Sequence, residues 1–230
     1  MKVPWTKSCI LIGCVSTHQG LSYLAKTSVP VDLIEIRLDV LRQNHVPIED
    51  IKNALQTRKI PALLTLRTTH EGGEYPWKSR ERAMLFRQFL PLVDVVDVEL
   101  ANALLLRPTL RLVRQQRKGL ILSAHSIKRK LTPRKMERLL KEFRAYRAQV
   151  YKIASLARNR KDLAVLAETL VSNPRTNLAL MAIGPLAEVS RVVLPALGSR
   201  LVYGYLDVPT AKTQPSAQDL YDKLKALSVL

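Results

Sequence analysis

Three runs in the middle of the chain decide the fold: GLILSA at Gly119–Ala124, TPRKMERLLKEF at Thr132–Phe143 and VYKIAS at Val150–Ser155. The first and third are short, apolar and rich in Ile, Leu and Val, with little polar alternation. That pattern marks parallel strands covered on both faces. Between them, Thr132-Pro133 offers an N-cap and a first-turn residue, and Met136, Leu139, Leu140 and Phe143 recur at helical spacing. The basic residues fill the other face of that helix. A strand, an amphipathic helix and a second strand make one βα crossover step.

The same alternation extends outward in both directions. Further strands are expected at 9–16, 31–37, 60–67 and 94–100 before it, and at 177–183 and 200–205 after it. The sixth strand, carrying Val150 to Ser155, is expected to begin at Gln149. Helices are expected from about Pro47 to Arg58, from about Arg158 to Ser172, where Leu163, Leu166, Ala167 and Leu170 share a side, and from about Ser216 to Leu227. Eight βα units in 230 residues, with no low-complexity linker, predict one closed (β/α)8 TIM barrel spanning residues 1–230. An open doubly wound sheet is the competing α/β architecture. No Gly-x-Gly-x-x-Gly follows the first strand, so the dinucleotide site of that fold is missing and the barrel is preferred.

Composition bounds what such a barrel does. Hydrophobic residues make up 47% of the chain, enough for one sizeable core. No apolar run approaches the ~20 residues needed to span a bilayer. The short apolar stretch Ile10–Val15 reads as a strand rather than a signal peptide. Cys9 and Cys14, five apart in one expected strand, point to opposite faces and form no disulfide framework, so a reducing cytoplasm is expected. Two cysteines and four histidines show no metal-ligand spacing. The unusual feature is charge. The formal net charge is +18, and between Arg107 and Lys161 stand 18 basic residues against two acidic ones, Glu137 and Glu142. Such a field attracts anions, from small carboxylates to nucleic acid. A plain solvated outer face is the alternative reading.

In a barrel the active site forms at the C-terminal ends of the strands. Polar residues gather at those ends here: Glu35, Arg37 and Asp39 at the end of strand two, Arg67 at the end of strand three with Glu71-Gly72-Gly73 following it, Glu99 at the end of strand four, and His125 at the end of strand five. Strand six carries Lys152, strand seven leads to Ser190-Arg191, and strand eight leads to Thr210 and Gln214. Each has a structural reading as well. Glu35, Arg37, Asp39 and Glu99 suit an ion-pair layer, Gly72-Gly73 suits a flexible turn, and Lys152 could snorkel outward between helices. If Lys152 instead points inward, desolvation and the neighbouring Arg37, Arg67 and Arg191 favour the neutral amine, a nucleophile toward carbonyls. His125, one strand over, is then placed to move protons beside an iminium, with Glu71 orienting it.

In their order these residues resemble the type I 3-dehydroquinate dehydratases along essentially the whole chain. The resemblance rests on Asp32–Asp39, Leu64–Gly73, Asp97–Leu100, His125 in Leu122–His125, Tyr151–Ala154, Met181–Gly184, Ser190-Arg191, Leu197–Ser199, Tyr203-Gly204 and Pro209–Ala211 with Gln214. It implies that Lys152 forms a Schiff base with the C3 ketone of 3-dehydroquinate, that His125 moves the C2 proton and assists loss of the C1 hydroxyl, and that Glu71 partners His125. It further implies that Arg191 grips the substrate carboxylate, that Glu35, Arg37 and Arg67 bind ring hydroxyls, and that Thr210 and Gln214 close a lid. The product would be 3-dehydroshikimate, formed on the shikimate pathway without metal or organic cofactor by a homodimer. Four features depart from the family pattern. The lid, usually Ser-Ala-Pro-Gly-Gln, reads Thr210-Ala211-Lys212-Thr213-Gln214. Ala187 replaces a glycine, and Ala124 and Ser126 flank His125 where Tyr and Asp are common. The high positive charge is the fourth.

Two other readings are open to the sequence. One is a Schiff-base barrel acting on a different polyhydroxy ketone, such as an aldolase. The other is a barrel that binds nucleic acid through the Arg107–Lys161 surface, unspecifically, because only Phe143 and Tyr146 interleave its basic helix.

Overall fold

The apolar runs pair side by side as parallel strands: β1 (Ile10–Val15), β2 (Leu33–Arg37), β3 (Ala62–Thr65), β4 (Val95–Glu99), β5 (Gly119–Ser126), β6 (Val150–Leu156), β7 (Leu178–Ile183) and β8 (Leu201–Tyr205). The computed structural model describes residues 1–210 and 213–230, so Ala211 and Lys212 of the lid stretch lie outside the described residues. The strands form a single sheet in the order β7-β6-β5-β4-β3-β2-β1-β8. Its end strands, β7 and β8, meet across a seam. There Arg200 N donates to Leu178 O at 2.8 Å, and Ser199 Oγ joins both Leu180 N and Leu180 O. The result is the expected (β/α)8 TIM barrel, nearly closed.

Helices α1 (Leu38–Gln43), α2 (Ile48–Gln56), α3 (Ser79–Phe89), α4 (Arg107–Gln115), α5 (Pro133–Phe143), α6 (Arg160–Ser172), α7 (Ala187–Ala196) and α8 (Ala217–Ala226) cover the outside. They are not distributed one per unit. The first unit has only a 3-10 helix, Gln19–Ala25, and the second has two short α-helices. Thr132 caps α5 as expected, accepting from Lys135 N. On α5 the buried residues are Met136, Leu140 and Phe143. Phe143 is fully buried, and truncating a side chain so placed costs about 3–5 kcal/mol. Cys9 and Cys14 do face opposite ways: Cys9 packs outward with Leu220 and Leu224, and Cys14 points into the barrel. Among the described residues, no helix is long and apolar enough to cross a membrane.

Inside the barrel, the period of two along each strand separates an apolar floor from a polar layer. The lower inward positions are apolar: Leu33, Leu63, Val95, Ile121 and Val150. Two residues further along the same strands come Glu35, Thr65, Asp97, Ser123 and Lys152, all buried. This step from oil to charge within one side-chain spacing builds the base of the site.

Candidate active site

The polar layer holds two hydrogen-bonded groups, one around Glu35 and one around Asp97. Thr65 Oγ1 donates to Glu35 Oε1 at 2.7 Å, and Cys14 Sγ lies 3.0 Å from Glu35 Oε2. On the far side, Asp97 accepts from three groups: Lys152 Nζ at 2.8 Å, Arg67 Nη2 at 2.8 Å and Ser123 Oγ at 2.6 Å. Lys152 points inward and is only 4% exposed, which settles its orientation against snorkelling. The Tyr203 ring centroid lies 4.3 Å from its Nζ. Three cations in or near this layer, Arg67, Lys152 and Arg37, offset the cost of burying the carboxylates. The Arg67 and Lys152 charges hold the Asp97 carboxyl well below the usual carboxylate range despite its burial.

His125 follows two residues above Ser123 on β5, which runs past the expected end at Ala124 to Ser126. Its Nδ1 lies 2.8 Å from Glu71 Oε2, and its backbone N donates to the same oxygen at 3.0 Å. Glu71 reaches it from a short 3-10 turn, Thr69–Glu71, ended by the glycine pair. Gly72 has φ +87°, and a Cβ on Gly73 would stand 2.2 Å from Arg67 O. The pair is therefore a steric requirement of the turn that presents Glu71, not merely a flexible link. Burial pushes the Glu71 carboxyl up to about 7, with Glu99 and Asp97 adding to the effect against Arg67. Burial, with the charges of Arg67 and Lys152, pushes the His125 imidazole well below its ordinary value. His125 is thus neutral near pH 7. With Nδ1 engaged by Glu71, Nε2 is the nitrogen left to accept a proton.

All nine sequence-predicted residues line one cavity of about 170 Å³ at this end of the barrel: Glu35, Arg37, Arg67, Glu71, His125, Lys152, Arg191, Thr210 and Gln214. Ile127, Met181 and Ile183 give it an apolar wall, and Cys14 and Tyr203 also border it. Arg37 is clamped by Asp39 through Nε at 3.0 Å and Nη2 at 2.7 Å. Glu99 does not reach the cavity. It accepts from Arg82 Nη2 at 2.6 Å and Asn102 Nδ2 at 2.7 Å and so anchors the loops behind the site. Asp39 and Glu99 are thus members of ion-pair clusters. Arg191, on α7, donates Nε to Tyr203 O at 3.1 Å and Nη1 to Ala182 O at 3.3 Å and Ala187 O at 2.8 Å. It staples β7 to β8 at the seam while bordering the cavity. Thr210 N and Oγ1 both donate to Gln214 Oε1, at 2.9 and 2.7 Å, and Gln214 Nε2 lies 3.4 Å from Cys14 Sγ.

Asp97, Ser123, Tyr203 and Cys14 were not singled out for the site from the sequence. The sequence reading surrounded Lys152 with arginines, whereas its nearest charged partner is the Asp97 carboxylate. A signal for Asp97 exists: it lies two residues before Glu99 on one strand, hence on the same inward face.

The comparisons with known proteins bear on the family and the fold. Residues 8–230 match the family model described as type I 3-dehydroquinase. The chain is 31% identical over 198 residues to the 3-dehydroquinate dehydratase of Methanoregula boonei, covering 86% of this chain and 90% of that protein. It is 29% identical over 194 residues to the chloroplastic bifunctional 3-dehydroquinate dehydratase/shikimate dehydrogenase of Arabidopsis thaliana; that match covers 83% of this chain but 32% of the bifunctional protein. The fold superposes on type I 3-dehydroquinate dehydratase from Clostridium difficile with a TM-score of 0.83 at 23% identity, covering 96% of this chain and 92% of the other. The enzyme from Geobacillus kaustophilus gives 0.84 at 21% identity, covering 96% and 91%. The chain belongs to the type I 3-dehydroquinase family.

Proposed function

We propose that this chain dehydrates 3-dehydroquinate to 3-dehydroshikimate, as a hydro-lyase of the shikimate pathway, through a Schiff base on Lys152. Family membership supports the reaction. The observation that carries the route is one buried amine and one neutral imidazole bordering the same small cavity, from neighbouring strands.

Lys152 Nζ, once it has given up a proton, attacks the C3 carbonyl carbon and the resulting carbinolamine loses water to give an iminium. The iminium acidifies the C2–H bond. His125 Nε2 takes that proton, leaving an enamine. The enamine electrons expel the C1 hydroxyl, which leaves as water with the proton His125 holds. Hydrolysis of the conjugated iminium returns Lys152 and releases the enone, so the net change is loss of one water. Arg191 binds the substrate carboxylate through Nη2, because its Nε and Nη1 donate to backbone carbonyls. Glu35, Arg37 and Arg67 take the ring hydroxyls, and Thr210 and Gln214 bring the lid across the mouth. The family relation supports a homodimer, and the two free, buried cysteines suit a reducing cytoplasm.

The reaction is tested by adding 3-dehydroquinate to purified protein and following ultraviolet absorbance of the enone. A rise proportional to enzyme concentration is expected. No rise with this substrate, and turnover of another polyhydroxy ketone instead, would reassign the site.

A further inference from the structure

The catalytic reading leaves the excess of positive charge unused. Much of it is organised on two helices. On α4 the buried residues are Thr109, Leu110 and Val113, while Arg107, Arg111 and Arg114 face solvent. On α5 the buried residues are Met136, Leu140 and Phe143, while Arg134, Arg138 and Lys141 face solvent. Both outward sets fall at i, i+4 and i+7, one stripe on each helix. The helices follow β4 and β5, which are paired neighbours, so the stripes are consecutive in the outer ring of the barrel. A solvated face ordinarily interleaves both signs, whereas the acidic residues on these two helices are only Glu137 and Glu142, both on α5. Here, among the described residues, Arg138 is the member of the two stripes held in an ion pair, with Glu142 at 3.0 Å.

The composition of the face narrows the partner. Five of the six groups are guanidiniums, which suit phosphate oxygens better than ammonium does. A membrane-surface helix needs its apolar side free to enter lipid, but the apolar sides of α4 and α5 are packed on the barrel. Phe143 is buried and Tyr146 half-buried, so the face offers no stacking platform for bases. We infer that the α4–α5 face binds the phosphodiester backbone of nucleic acid without base specificity, on a surface apart from the catalytic cavity.

The test is fluorescence anisotropy of the full chain with a labelled 20-nucleotide single-stranded RNA, repeated with a DNA duplex of the same length. Binding is expected at 50 mM KCl. Contact with four to six phosphates would weaken the single-strand affinity roughly 50- to 300-fold on moving to 200 mM. The variant R111Q/R114Q/R138Q/K141Q should bind at least tenfold more weakly with unchanged dehydratase kcat/KM. The variant K26Q/K59Q/R175Q/K225Q, with the same charge loss at exposed positions elsewhere, should bind like the parent. Absence of binding at 50 mM KCl would overturn the inference, and so would equal weakening by both variants. Tighter binding to vesicles of anionic lipid, or equal displacement by polyglutamate, would overturn it in favour of another class of partner.

Discussion

Lys152 Nζ lies 2.8 Å from Asp97 Oδ2, both side chains are buried, and Arg67 Nη2 holds the other carboxylate oxygen at the same distance. The carboxylate is shared, and the two cations depend on it unequally. Removing Lys152 leaves Asp97 still paired with Arg67. Removing the Asp97 charge leaves the buried Lys152 without an ion-pair partner among the described residues, while Arg67 keeps Glu99 at 3.5 Å and Glu71 at 3.9 Å. An unpaired buried charge costs about 3–5 kcal/mol in folded proteins. Asp97→Asn should therefore lower Tm clearly more than Lys152→Met, although only the second removes the nucleophile. Thermal unfolding of both variants beside the parent measures this. Equal losses would mean that the shared carboxylate does not organise the layer.

The Glu71–His125 pair sets the acid side of the activity profile. His125 serves as base through Nε2 only while Glu71 is ionised and accepts from Nδ1. Glu71 gains its proton near pH 7, and the ring is then free to move its own proton to Nε2. kcat/KM should fall as pH drops through about 7. Glu71→Gln, whose amide oxygen can still accept from Nδ1, should lose about tenfold in rate, or 1.4 kcal/mol, and should lose that acid limb. An unchanged limb in the variant would assign it to another group.

The same shift has an opposite signature in stability. The folded-state value of Glu71 is raised, so between its ordinary value and about 7 the native state holds a proton that the unfolded chain has released. Stability contributed by this group is full at low pH and is lost as pH rises through that window. Glu71→Gln should accordingly gain on the order of 1–3 kcal/mol at pH 8, a few degrees in Tm. Near pH 4.5 it should gain little. A Tm difference that does not vary with pH would contradict the assignment.

Arg191 carries two duties that a substitution can separate. Its Nε and Nη1 bonds to Tyr203 O and Ala182 O staple the seam, and its place at the cavity suits it to an anion. Arg191→Lys keeps a charge but cannot hold the seam carbonyls and still present a separate Nη2 donor to the substrate. It should raise KM about 10- to 100-fold, the size of one to two lost charge-assisted bonds, and lower Tm as well. A KM effect with no change in Tm would remove the stapling role.

Much of this was legible in the sequence, for reasons that can be named. Each apolar run is short and both its faces are buried, so the eight strands stand out without alternation, and Thr132-Pro133 fixes the start of α5 to the residue. The rim residues were visible because a charge at the end of an apolar strand lacks an ordinary structural purpose. What the sequence hid is set by register and packing. Asp97 sits inside an apolar strand, and its pairing with Lys152 depends on two intervening ladders, β4 to β5 and β5 to β6. The stapling of the seam by Arg191 depends on how α7 packs, and its bonds go to backbone carbonyls that no sequence pattern marks.

The most direct test of the account traps the covalent intermediate. The protein is mixed with 3-dehydroquinate, reduced with borohydride, digested and examined by mass spectrometry. The account predicts a reduced adduct on the peptide bearing Lys152, at Lys152 itself, and none in Lys152→Met. An adduct on a different lysine, or substrate turnover with no trapped adduct, would contradict it.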